Sequence, residues 1–156
     1  MLIERIGPRR FHIVDSRVLD FIAARIPQVG TADGWRNQAE AVGVVVDGKL
    51  VAGMACMNWD KQHGNIEIAM ASDNPRWASR ETIRRLLAWP FDRLRCQRLT
   101  TIIAADNVAA LRFNEKLGFK REGVMRRGYG DKDAIILGLL KEDLPAWAVA
   151  PAPEMA

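Results

Sequence analysis

The stretch Asn65–Gly118 constrains this chain most, because its hydrophobic periods change in a fixed order. NIEIAMAS, Asn65–Ser72, reads as a strand. After a short loop, Ile83, Leu86, Leu87, Pro90, Phe91 and Leu94 recur at i, i+3, i+4, i+7, i+8 and i+11. That is one apolar stripe at helical period, so the segment predicts a helix with a single buried face. RLTTIIAA, Arg98–Ala105, predicts a second strand, and a second helix begins at Asp106 or Asn107 and stops at Gly118, with EKLGF as last turn and cap. Strand, helix, strand in this order gives a parallel pair with a right-handed crossover. Ligands of open α/β sheets bind beyond the carboxyl ends of the strands. Here that place is Ser72–Glu81, SDNPRWASRE, whose last six residues carry Arg76, Arg80 and Glu81. An anionic ligand is expected there.

The flanking chain adds antiparallel strands. AVGVVVD and KLVAGMACMN surround Asp47–Gly48, a strong signal for a two-residue type I′ hairpin. FKREGVMRR and DAIILGLLK predict two further strands joined by GYGDK. Upstream, Phe11–Val14 is a candidate short strand, and Asp15 or Ser16 can cap a helix reaching about Ile26, where Pro27 ends it. Gln28–Gln38 lacks periodicity and reads as a loop of the kind that overlies a site; its Trp35 is either a lid residue or a core plug. The expected architecture is an α/β mixed sheet flanked by helices, in a single domain over 1–144. A Pro/Ala-rich tail, 145–156, follows.

At 156 residues the chain suits one domain with a substantial core. No apolar run approaches the roughly 18 residues that span a bilayer, and the N-terminus carries scattered charges without a signal-peptide core. Cys56 and Cys96 have neither metal nor redox spacing, which fits reduced thiols and a cytoplasmic setting. A net charge of +4 favours an acidic ligand. The arginine-rich helix lacks the interleaved aromatics of a nucleic-acid surface, so nucleic acid is disfavoured. His12 and His63 are isolated, so no metal site is expected, and no Ser–His–Asp order or phosphate-loop motif can be assembled.

Asn107–Phe119, NVAALRFNEKLGF, followed by Lys120-Arg121-Glu122-Gly123, resembles a signature of the GNAT superfamily of acyl-CoA-dependent N-acyltransferases. GNIEIAM resembles that family's central strand and WASRETIRRLLAWPFDRLRCQRL its following helix, so the likeness runs from about Val42 to Leu140. Among the family's branches it is most similar to the ribosomal-protein and prophage-type ones. The resemblance implies a sheet whose parallel strands 4 and 5 splay apart, with acetyl-CoA as acyl donor. It further implies transfer to a primary amine, on a small molecule or a peptide, by direct attack in a ternary complex. A homodimer is compatible with it.

Residue by residue, the resemblance assigns the thioester arm to the backbone of Met70 and Ala71 and to Asn107 and Asn114. It assigns the pyrophosphate to the start of the first helix, through Arg76, Trp77, Ala78, Ser79 and Arg80. The family usually has glycines in that loop so that backbone can approach the anion; Asn74-Pro75-Arg76-Trp77-Ala78-Ser79 contains none. A helix start still offers free amides and a positive dipole end, and a start later than Pro75 is expected, since an early one crowds the cleft with the Trp77 indole. Acyl transfer to an amine needs a base and an acid. Glu67 is the candidate base; strand alternation puts it on one face with Asn65, Ala69 and Ala71, and a structural ion pair is its plainer reading. The family's frequent tyrosine, seven residues after the helix asparagine, is Asn114 here. Tyr129, the one tyrosine, is therefore the candidate acid, against a plain turn aromatic, with water as substitute. The missing glycines and tyrosine support a competing reading, a catalytically silent binding module of the same fold.

Overall fold

A computed structural model describes residues 2–6, 10–14, 16–26, 39–73 and 77–149, with backbone alone for 2–6, 10–14 and 16. In chain order the strands and helices are β1 (Leu2–Ile6), β2 (Arg10–Val14), α1 (Ser16–Ala23), β3 (Ala39–Val46), β4 (Lys49–Asp60) and β5 (Asn65–Ser72). They continue with α2 (Arg80–Ala88), β6 (Arg98–Ala104), α3 (Val108–Leu117), β7 (Lys120–Tyr129) and β8 (Lys132–Leu140). Eight strands form one mixed sheet in the order β1-β2-β3-β4-β5-β6-β8-β7. The expected order of elements stands, with β1 added at the edge.

Local chemistry explains the boundaries. Asp47 and Gly48 both take positive φ, 52° and 79°, as a type I′ turn requires. The Ser79 side chain accepts a hydrogen bond from the Thr82 amide and starts α2. Pro90 has no N–H for the helix ladder. The chain therefore widens into a π-turn over Trp89–Arg93, with the Leu94 amide donating to the Trp89 carbonyl. Asn107 caps α3 through the Ala110 amide, and Gly118 closes it at φ 108°. A Cβ at Gly118 would stand 2.8 Å from the Asp143 carbonyl, so close packing as well as φ requires glycine there.

The sheet has two unlike faces. On one, Ile66, Ile68, Leu99, Ile103, Leu137 and Leu139 are buried with Leu86 and Leu87 of α2 and Leu111 and Leu117 of α3 in the main core. On the other, α1 places Val18, Leu19 and Ile22 over Ala41 and Ala55. Trp147 also packs on the main core and Ala148 is buried, so residues from the segment expected as tail join the packed structure. Residues 150–156 lie outside the described residues, as do Trp35, Asn74, Pro75 and Arg76.

Candidate active site

The site begins where β5 and β6 part. They pair in parallel only at Asn65–Glu67 against Arg98–Thr100. Beyond that, β5 stays bonded to β4 and β6 to β8. Peptide groups alternate in direction along a strand. The Asp73 amide donates to Val51 of β4, so Glu67, Ala69 and Ala71 turn their peptides to β4 while Ile68 and Met70 face the gap. On β6 the Gln97 carbonyl and the Ala105 amide bond to the β8 side, so Ile102 also faces the gap.

Two side chains occupy carbonyls that a closed ladder would have used. The Thr101 hydroxyl donates to the Ile68 carbonyl at 3.0 Å. The Tyr129 hydroxyl donates to the Ile102 carbonyl at 3.1 Å, reaching from β7 across β8. Tyr129 ends a strand opposite Lys132 and does not sit in a wider turn, and a bulge between Met125 and Tyr129 redirects it. By register, the Met70 N–H, whose partner in a closed ladder would be the Ile102 carbonyl, is left facing the gap. The expected pair of arm-holding amides is thus divided: Met70 points into the gap and Ala71 toward Gly53 in β4.

Glu67 lies on the face opposite the main core, half-buried, where its Oε2 accepts a 2.9 Å hydrogen bond from Asn58 Nδ2. Burial, and then the charge of Glu67, raise the Tyr129 phenol above its ordinary value of 10.0, so base and acid candidates sense one another. The same face carries a polar chain: Arg98 donates to Thr100, Thr100 to Asn65, and Arg98 again to Glu122. Glu122 is the extra residue of a bulge and lies over Gly138, where any Cβ would meet its carboxylate at 2.5 Å. The hydrogen bond from Arg98 holds the Glu122 carboxyl below the usual range.

The helix-start residues divide as well. Trp77 is buried, packs at a tilt against Phe113 with ring centroids 6.0 Å apart, and belongs to the main core with Ala78 beside it. The helix opens at Arg80, the later start, with the indole directed inward. Ser79 is the cap, and its own amide donates to the Trp77 carbonyl; the Arg80 and Glu81 amides lead the helix with no partner among the described residues. The Arg80 guanidinium lies over the Trp147 ring at 5.4 Å. Asn107 Oδ1 is used on its cap, and its Nδ2 has no hydrogen-bond partner among the described residues. Asn114, 5% exposed, donates to the Ala110 carbonyl, and its Oδ1 finds no partner among the described residues.

A family model described as an acetyltransferase (GNAT) domain matches residues 10–120. The chain belongs to the GNAT acetyltransferase family. Solved structures agree on the fold. A spermidine/spermine N-acetyltransferase from Vibrio cholerae superposes with TM-score 0.68 at 15% identity, over 86% of this chain and 96% of that one. A ribosomal-protein alanine acetyltransferase from Vibrio fischeri gives 0.67 at 14% identity, over 93% and 100%. A GNAT-family acetyltransferase from Bacillus anthracis gives 0.64 at 17% identity, over 90% and 99%. No curated protein matches the chain.

Within this GNAT domain, sequence reasoning overlooked Asn58 and Thr101. An asparagine just before a chain reversal is a weak sign of left-handed backbone, and a threonine among TTII reads as any strand residue. No helix among the described residues is long and apolar enough to cross a membrane.

Proposed function

We propose that this GNAT protein transfers an acetyl group from acetyl-CoA to a primary amine by direct attack in a ternary complex. The observation that carries the reading is the open gap between β5 and β6, with Glu67 beside it and a phenol hydroxyl within it. The groups there suit a donor with an amide-bearing arm. Met70 offers an N–H at the gap, and on α3 Asn114 Oδ1 is a buried acceptor with no donor among the described residues. Arg80 and the leading amides of α2 suit the anionic end. Acetyl-CoA supplies an activated acyl group as a thioester.

Glu67 takes the proton of the attacking amine, directly or through a water, and the amine adds to the carbonyl. Tyr129, kept protonated by burial and by Glu67, supplies a proton to the departing thiolate. The acceptor is an amine on a small molecule or a peptide. Likeness to the ribosomal-protein branch and the fold neighbours acting on spermidine support including both in a panel. We place the protein in the cytoplasm and leave a homodimer open.

Calorimetric titration with acetyl-CoA, followed by thiol release with polyamines, peptide N-termini and lysine peptides, tests the reading. Binding plus amine-dependent thiol release is expected. Binding without release from any amine favours the silent module, which Asn114 in the tyrosine position supports. Arg80→Ala should weaken acetyl-CoA binding about tenfold, since a charge-assisted contact contributes roughly 1.5–3 kcal/mol. Unchanged affinity places the anion elsewhere.

A further inference from the structure

β4 and β5 fall out of step at one place. Met57 stands opposite Glu67 and Asp60 opposite Asn65, so Asn58 and Trp59 together face the single residue Ile66. This is a β-bulge, a device that re-aims a side chain and recurs beside active sites. Asn58 has φ 52°, a left-handed conformation that asparagine adopts more readily than most residues. The outcome of bulge and backbone together is one contact: Asn58 Nδ2 donates to Glu67 Oε2 at 2.9 Å.

A free carboxylate on an open sheet face rotates and presents either oxygen. One amide donor at Oε2 restricts that freedom and leaves Oε1 as the oxygen available to a substrate. An amide is suited to this task because it donates without carrying charge and does not ionise near neutral pH. A lysine or arginine at the same place would form an ion pair and oppose protonation of the base during the reaction.

We propose that Asn58 is a positioning residue for acetyl transfer: it holds one oxygen of Glu67 so that the other receives the proton of the incoming amine. This rests on the proposed function, in which Glu67 is the base.

The test uses two replacements that keep the left-handed backbone. Asn58→Gly removes the donor and Asn58→Asp replaces it with a carboxylate oxygen. Expected is a fall in kcat of about fivefold or more for glycine and about twentyfold or more for aspartate, with acetyl-CoA affinity within twofold of wild type. In a Glu67→Gln background, Asn58→Gly should cause no further loss, because the two act as a unit. Effects that multiply in that background, or a kcat within twofold of wild type for both variants, overturn the proposal. An independent readout needs no turnover. The infrared carboxylate stretch of Glu67, identified by its loss in Glu67→Gln, should shift in Asn58→Gly. If the wild-type protein transfers no acetyl group, the functional reading fails, and the infrared band still reports separately whether Asn58 holds the carboxylate; an unmoved band overturns the positioning role.

Discussion

The two faces of the sheet are built on opposite terms. The face under α2 and α3 is continuous and apolar, and Leu86, Leu87, Leu99, Leu137 and Leu139 are almost wholly buried in it. The opposite face is covered by α1 over β3–β5, then gives way to Glu67, held by Asn58, and to Thr100, Arg98 and Glu122, which hydrogen bonds join into one chain. Closeness is exact on the covered part: at Gly53 an added Cβ would come within 2.6 Å of Val18. On the polar part, bulges at Asn58–Trp59 and Glu122 and before Tyr129 each turn a side chain to a particular partner. One face supplies cohesion and the other supplies aim. The candidate chemistry sits along their border, where the coverage stops.

Substitutions should separate these roles. Leu99→Ala empties a fully buried position in the face under α2 and α3 and should cost about 2–5 kcal/mol of stability. Urea unfolding would show a lower midpoint, with specific activity retained by the folded fraction. Glu67→Gln should do the reverse: turnover falls more than about tenfold while acetyl-CoA affinity and the thermal midpoint scarcely move. A matching loss of affinity would return Glu67 to a structural role.

Tyr129→Phe straddles the border. It removes both the candidate acid and the donor to Ile102, and should lower kcat a few fold. Its pH signature has a definite sign. The folded phenol titrates above 10.0, so the folded chain keeps a proton that the unfolded chain sheds. The stabilisation is complete below pH 10.0 and is lost as pH rises through the folded value. Alkaline denaturation should therefore steepen less in Tyr129→Phe. Cys56, pushed up to about 12 by burial, adds a slope of the same sign in both proteins and cancels from the difference.

The smallest effect belongs to Arg98→Ala. Its pair with Glu122 is partly exposed, so about 1 kcal/mol or less is at stake, and less in high salt. Glu122 is held below its ordinary 4.5, so the pair contributes above that pH and fades as pH falls through the folded value. The variant should show a flatter acid limb in a stability–pH series.

Legibility in the sequence followed the same division. The face under α2 and α3 was readable because apolar periodicity and end signals are local: the stripe from Ile83 to Leu94, the Asp47–Gly48 turn, and Asn107 and Gly118 at the ends of α3. Glu67 could be placed on its face by alternation alone. β1 was missed because Glu4 and Arg5 interrupt its apolar residues, leaving too short a pattern to read. The π-turn was missed because Pro90 continues the apolar stripe while breaking the ladder beneath it. Asn58 and Thr101 depend on which strand lies alongside, and the reach of Tyr129 on which lies two places away; no local pattern carries that. Trp77 and Ser79 show a further limit: both stand at the expected helix start, yet one is drawn into the core and the other into its own cap.

The hydroxyls of Thr101 and Tyr129 also bear on how fast a ligand can enter. Because they already occupy the Ile68 and Ile102 carbonyls, no strand has to be peeled from its neighbour at the moment of arrival. The two strands are already unpaired there. Association with a donor arm would then follow one phase whose rate keeps rising with ligand concentration, with no slow opening step to impose a plateau.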